Sequence, residues 1–251
     1  AIVAYAVKNL DFALPYDPSV YWALYERYYG VYYEAYDEEA EIAYAKIALR
    51  INVNYLIGQS AGFLGIGELK SVADGCLAES EEILSVLTEG ERKALTEKAA
   101  EIDAVIALIL KTMEETDENG TFDGARFGEL ASAYREIEGE YGSEVLSLKC
   151  AVMELRLGVD RFISVRPDEN NAFFLSGDLA DIDGILSAVL AQNGEYALPA
   201  NEASALAAQR EALNAVFFAM IKKIEAFEAP DAYSHQIYQN YYLLYQNLSS
   251  D

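Results

Sequence analysis

The stretch YWALYERYYGVYYEAY, residues 21–36, holds seven tyrosines in sixteen positions. Their spacing decides the fold class. At about 100° per residue, Tyr21, Tyr25, Tyr28, Tyr32 and Tyr36 fall within an arc of about 80°, one face of a helix. A strand would put Tyr21 and Tyr28 on opposite sides. The same helical face continues through Ala43 and Ile47. Such a stripe has two uses. The rings pack, each burying a large area while its hydroxyl reaches a polar edge. Alternatively, exposed ring faces line a groove for a saccharide, an aromatic molecule or an extended peptide.

The helical period extends outward. Asp17-Pro18 reads as an N-cap followed by the first helical residue. Thr88-Glu89-Gly90-Glu91 is a capping box. The five prolines lie between helical patterns, as expected of helix boundaries. The Gly-rich stretch GQSAGFLGIG, 58–67, predicts a tight turn or a close helix crossing. Strand-like alternation is hard to find. The expected fold is all-α, a multi-helix bundle or a short irregular helical-repeat array of about eight or nine helices, in one domain over 1–251.

Composition narrows the function classes. The chain of 251 residues is 53% hydrophobic and carries 42 acidic against 18 basic residues, a net charge of −24. Such a surface disfavours nucleic acid and anionic lipid, and suits a basic partner or a metal cation. The apolar runs AVIALIL, 104–110, and AVFFAMI, 215–221, are far shorter than the ~20 residues that span a bilayer. No transmembrane segment is expected. Cys76 and Cys150 are either one disulfide or two buried thiols. The start at Ala1, together with a tolerable cysteine pair, gives the expectation of an extracytoplasmic protein, exported or lipid-anchored, with the cytoplasm as the alternative.

Several chemistries lack their residues. His235 is the single histidine, so two-histidine di-iron and HExxH zinc sites are ruled out. It reads as a partly exposed helix residue. No catalytic residue is singled out, and no resident cofactor is expected, calcium being the one candidate.

That candidate rests on ETDENGTFDGAR, 115–126, which resembles an EF-hand loop. The resemblance implies Asp117, Asn119, Thr121 and Asp123 as metal ligands, Gly120 at the sharp turn and Phe122 as the apolar anchor. Two positions depart from the pattern. Glu115 stands at the first ligand, and Arg126 replaces the bidentate glutamate. The alternative is an ordinary Asn-Gly turn between helices.

Two segments, YGVYYEAYDEEAEIAYAKIALRIN at 29–52 and LASAYREIEGEYGSEVLSLKCAVMEL at 130–155, resemble tetratricopeptide helical hairpins. That resemblance implies a concave surface for a protein or peptide partner. The expected function is a non-enzymatic helical binding or scaffold protein engaging such a partner. The alternatives are a small-ligand binder using Tyr21, Tyr25, Tyr28, Tyr32 and Tyr36, and a calcium-modulated module.

Overall fold

The structure is a computed structural model that describes residues 2–30, 38–228 and 235–249. Tyr32 and Tyr36 lie outside the described residues. Eleven helices and no strand occur among the described residues, so the chain is all-α as the tyrosine spacing predicts. Within 1–251, read above as one domain, contacts gather into two compact units. One comprises Ala1–Thr112 with Ser132–Tyr141, the other Met113–Ala131 with Gly142–Asp251.

The first unit begins with α1 (Ile2–Lys8) and α2 (Pro18–Tyr29). The Asp17 carboxylate accepts from the Ser19 N–H at 2.9 Å, and Pro18 opens α2 where its missing N–H costs nothing. Next come α3 (Glu38–Gly58), α4 (Ile66–Leu77) and the one-turn α5 (Glu81–Leu84). The long α6 (Glu89–Glu115) starts at the expected capping box. Thr88 Oγ1 accepts from the Glu91 N–H at 3.1 Å, and Glu91 Oε2 accepts from the Thr88 N–H at 2.9 Å. The aromatic stripe of α2 packs on α3. Tyr21 and Tyr28 share a core with Ala40, Ala43, Ile47 and Ile51.

Arg50 of α3 organises this unit. It sits among apolar neighbours at 2% exposure, yet every face of its guanidinium is matched. Nε donates to Glu91 at 3.0 Å. Nη1 donates to the Phe12 and Leu14 carbonyls, each at 3.1 Å, and to the Tyr21 hydroxyl at 2.7 Å. The Tyr21 ring lies 5.5 Å from the guanidinium carbon. The arginine thus holds the loop before α2, the aromatic stripe of α2 and the start of α6 to one helix. Burial pushes the Glu91 carboxyl up, but hydrogen bonds from the Thr88 N–H, Arg50 and Asn54 outweigh it and hold the group below the ordinary carboxylate range.

The second unit contains the start of α7 (Gly124–Tyr141), then α8 (Glu144–Ser164), α9 (Ala172–Asn193), α10 (Ala200–Glu225) and α11 (His235–Ser249). It repeats the arginine-centred arrangement. Arg156 of α8 is 1% exposed. Its Nε donates to Glu202 of α10 at 2.9 Å, and its Nη1 to the Glu118 and Gly120 carbonyls at 2.7 and 3.0 Å. Phe122 and Phe127 lie 5.5 and 5.4 Å from its guanidinium carbon. At the offset that separates Arg50 from Arg156, Phe12 answers to Glu118, Leu14 to Gly120, Tyr16 to Phe122 and Tyr21 to Phe127. Asp11 answers to Asp117, and each accepts from the N–H two residues on, at 3.0 and 3.1 Å. At the slightly larger offset between Glu91 and Glu202, the buried Leu95, Ile102 and Ile109 answer to Leu206, Leu213 and Met220. Lys98 donates to the Gln59 carbonyl just past α3, and Gln209 to the Val165 carbonyl just past α8. What recurs is therefore a whole multi-helix unit. No array of tetratricopeptide-type hairpins is evident among the described residues.

The Gly-rich stretch supplies the expected close approach. A Cβ on Gly67 would stand 2.6 Å from the Glu136 carbonyl oxygen, and the Glu136 carboxylate accepts from the Gly65 and Gly67 N–H groups, each at 3.0 Å. Gly65 adopts φ 76°, a conformation that favours glycine.

Two tests follow from this packing. Arg50→Ala and Arg156→Ala each leave a glutamate and two carbonyls without their cation, and should lower stability by about 3–5 kcal/mol in urea unfolding. Lysine at either position should restore only part of this, because a point charge cannot serve carboxylate and carbonyls in one plane. Separately, Gly67→Ala should destabilise by ~1–3 kcal/mol through forced separation of α4 from α7. Gly62→Ala, with nothing within 4 Å of its added methyl, should be nearly neutral.

Candidate functional site

The tyrosines of the α2 stripe have different surroundings. Tyr21 and Tyr28 are buried at 3% and 0% exposure, so their ring faces are covered. Tyr25 is half-buried and stacks on Tyr44 of α3, centroids 4.9 Å apart and planes 18° apart. Tyr29, which borders the stripe, is 72% exposed. Packing therefore employs the middle of the face, and one end of α2 presents a free ring.

That ring stands at a groove of about 410 Å³ between α3 and α4. Tyr29, Tyr44, Ala48, Asn52, Gly75 and Cys76 line it, with Glu41 and Glu79 adding carboxylates. The groove exists because α3 and α4 present alanine and glycine where they face each other. Its lining is mostly apolar, with a few polar groups, and its volume lies in the range of small-molecule and side-chain sites. Burial, followed by the hydrogen bond with the Tyr25 hydroxyl, pushes the Tyr44 phenol well up, so this ring stays neutral. Burial likewise pushes the Cys76 thiol up to about 11.

The second unit has the same seam between α8 and α9, filled differently. A smaller cavity of about 250 Å³ is lined by Glu154, Gly158, Arg161, Asp181, Ile182 and Ile185, among others. Position for position, Glu154 replaces Ala48, Gly158 replaces Asn52, Asp181 replaces Gly75, Ile182 replaces Cys76 and Ile185 replaces Glu79. A Cβ on Gly158 would approach Ile182 to 3.2 Å, so the two helices close up at this point. The tyrosine rim has no counterpart, since Tyr29 answers to Arg135 and Tyr44 to Cys150.

The EF-hand-like loop is occupied by the protein's own cations. Arg156 takes the Glu118 and Gly120 carbonyls. Lys149 Nζ takes the carbonyls of Met113, Glu114 and Thr116 at 3.2, 2.8 and 2.8 Å. Asp117 accepts from the Asn119 N–H, and Asp123 accepts from the Arg126 N–H at 3.1 Å, capping α7. The Asn119 side chain donates to Glu118 at 3.2 Å. Thr121 lies in the same loop. The corresponding loop of the first unit, DFALPYD at 11–17, bonds to Arg50 in the same way without any EF-hand residues between its two aspartates. Among the described residues, no group of three or more His, Cys, Asp or Glu side chains is placed to hold a metal ion.

Cys76 and Cys150 are both free and buried. Cys150 Sγ lies 3.8 Å from the Ala131 carbonyl. His235 is an exposed residue at the start of α11. No helix of the described chain is long and apolar enough to cross a membrane.

The groove went unnoticed in the sequence because it depends on α3 and α4 meeting. A signal was present, however: the small residues Ala45 and Ala48 next to Leu49 on one side, and Gly75 with Cys76 on the other. Comparisons with protein-family models, with curated proteins and with solved structures found no match to this chain.

The raised Cys76 thiol gives a pH test. A group whose folded value lies above its unfolded value contributes stability that is complete below the ordinary thiol value and lost as pH rises through the folded one. The chain should therefore lose stability between about pH 9 and pH 11. Cys76→Ala should lose less over the same interval, measured as the shift in urea midpoint.

Proposed function

We propose that the protein is a non-enzymatic helical binding module, and that the α3–α4 groove of its first unit receives a basic side chain of a peptide or protein partner. The observation that carries this reading is the contrast between two equivalent seams. One is walled by tyrosine, alanine and glycine, while its counterpart is narrowed by isoleucine and charged side chains. A cation entering the first groove would meet the exposed Tyr29 ring, the Tyr44 side chain and the carboxylates of Glu41 and Glu79. Rings attract cations through their quadrupole, and carboxylates form charge-assisted hydrogen bonds with them. The net charge of −24 draws such a ligand from a distance. The aliphatic stem of a lysine or arginine suits the alanine-lined floor.

The test uses blocked tripeptides that differ only in the central residue, titrated calorimetrically. Those with central Lys or Arg should bind, more weakly as salt rises, and those with Leu or Glu should not. Glu41→Gln with Glu79→Gln should weaken binding roughly tenfold. Ala48→Leu should weaken it by filling the floor, without lowering the melting temperature. Equal binding of all four peptides, or none at millimolar concentration, would overturn the reading.

A further inference from the structure

The cavity of about 250 Å³ in the second unit is walled by one stripe from each of two helices. Glu154, Leu157, Gly158 and Arg161 follow the i, i+3, i+4, i+7 spacing of a single face on α8. Asp178, Asp181, Ile182 and Ile185 follow the same spacing on α9. The short loop 165–171 joins the two helices, so they run antiparallel. Gly158 meets Ile182, and that contact fixes the register. Arg161, three places beyond Gly158, and Asp178, four places before Ile182, therefore stand toward the loop end of the cavity, with Asp181 next to Ile182. Ile185 and Glu154 stand toward the other end. Leu157 and the buried Ile182 supply apolar wall between them.

Charges of both signs face this space, and they do not pair with one another. Elsewhere in the unit, cations take carboxylates: Arg156 holds Glu202, Arg210 holds Asp183 and Lys223 holds Glu169. Among the described residues, the Arg161 guanidinium has no ion pair or hydrogen bond, and neither the Asp178 nor the Asp181 carboxylate has one. At the offset that relates Arg50 to Arg156, Arg161, Asp178 and Asp181 answer to Tyr55, Val72 and Gly75. The three charges therefore take no part in the clamp that the two units share.

We infer that this cavity is a binding site for a small zwitterion, an α-amino acid with an aliphatic side chain. Its carboxylate is received by the planar Arg161 fork, which suits two oxygens at once. Its ammonium is received by Asp178 and Asp181. The two charges of an amino acid are close neighbours, as are the groups that answer them at the loop end of the cavity. The side chain runs over Leu157 and Ile182 toward Ile185, where burial favours methyl and methylene groups. Volume sets the size class, since the cavity lies below the range of drug-sized ligands. A bare cation would be repelled by the guanidinium and leave it unmatched, and a bare anion would face the two aspartates. A ligand carrying both charges answers the whole lining. This inference is independent of the α3–α4 groove.

The experiment is calorimetric titration of the full chain with L-leucine, isoamylamine, which lacks the carboxylate, and isocaproate, which lacks the ammonium. Leucine should bind with sub-millimolar affinity, and each analogue at least tenfold more weakly. Arg161→Gln and Asp181→Asn should each weaken leucine binding roughly tenfold. Neither should change the melting temperature, because both side chains are exposed and unpaired. Ala48→Leu, which fills the groove of the first unit, should leave leucine binding as it is, so that the two sites stand or fall separately. No heat with leucine at millimolar concentration would overturn the inference. Equal binding of leucine and isoamylamine would also overturn it, because the carboxylates would then be holding a cation alone. Binding undiminished by Arg161→Gln would put the ligand elsewhere, with the same consequence.

Discussion

Everything in each unit converges on one buried guanidinium. An arginine inside an apolar core is expensive unless its charge and its donors are all met. Here they are met by a glutamate from the first turn of another helix, by two carbonyls of a connecting loop and by an aromatic face. Each partner belongs to a different segment, so one side chain fixes the mutual position of three. Geometry makes this specific. The guanidinium fork is planar, and only one placement of loop, ring and carboxylate serves it at once. Apolar packing around Ile47 or Leu155 stabilises the units, but it would tolerate sliding that the arginine does not.

The helical class was legible in the tyrosine spacing, because a stripe at i, i+4 and i+7 has no strand equivalent. The N-cap at Asp17 and the capping box at Thr88 were legible for a similar reason: they are local, and their chemistry is complete within four residues. The arginine clamp was half legible. KIALRINV and MELRLGV each set one cation inside an apolar helical string, and such a cation must find partners. Which partners it finds depends on chain segments tens of residues away, and periodicity carries no information about them. The repetition of the unit was harder still. Core positions demand size and apolarity, not identity, so Ile102 and Leu213, or Ile109 and Met220, serve alike while the letters differ.

The loop at 115–126 shows how a motif and a structural need can share residues. Closely spaced aspartates, an asparagine and a glycine are residue types that can supply a metal ion with carboxylates and carbonyls. An arginine fork wants carbonyls as well. The first unit separates the two demands, because DFALPYD contains neither the Asn-Gly pair nor the extra carboxylates and still delivers two carbonyls to Arg50. The shared part of the two loops is therefore the part that serves the arginine. The aspartates at their ends answer to backbone N–H groups, one closing a turn and one capping the next helix.

Comparison of the two units also separates scaffold from site within the molecule. The clamp, its aromatic ring and the side-chain bond past the end of the clamped helix are present in both, so they belong to folding. The seam beside the clamp is not held to the same rule. One copy narrows it with Ile182 and Ile185 and adds the charges of Glu154, Asp181 and Arg161. The other leaves Ala48 and Gly75 with tyrosine at the rim. Removing side-chain volume between two packed helices costs contacts, and the second unit keeps a smaller opening at the same seam, about 250 Å³ against about 410 Å³. The clamp is thus common to the two units, and the width and lining of the seam beside it are not. The tyrosine face of α2 is spent on packing, with Tyr21 and Tyr28 buried, and the accessible space of the first unit's seam lies between α3 and α4.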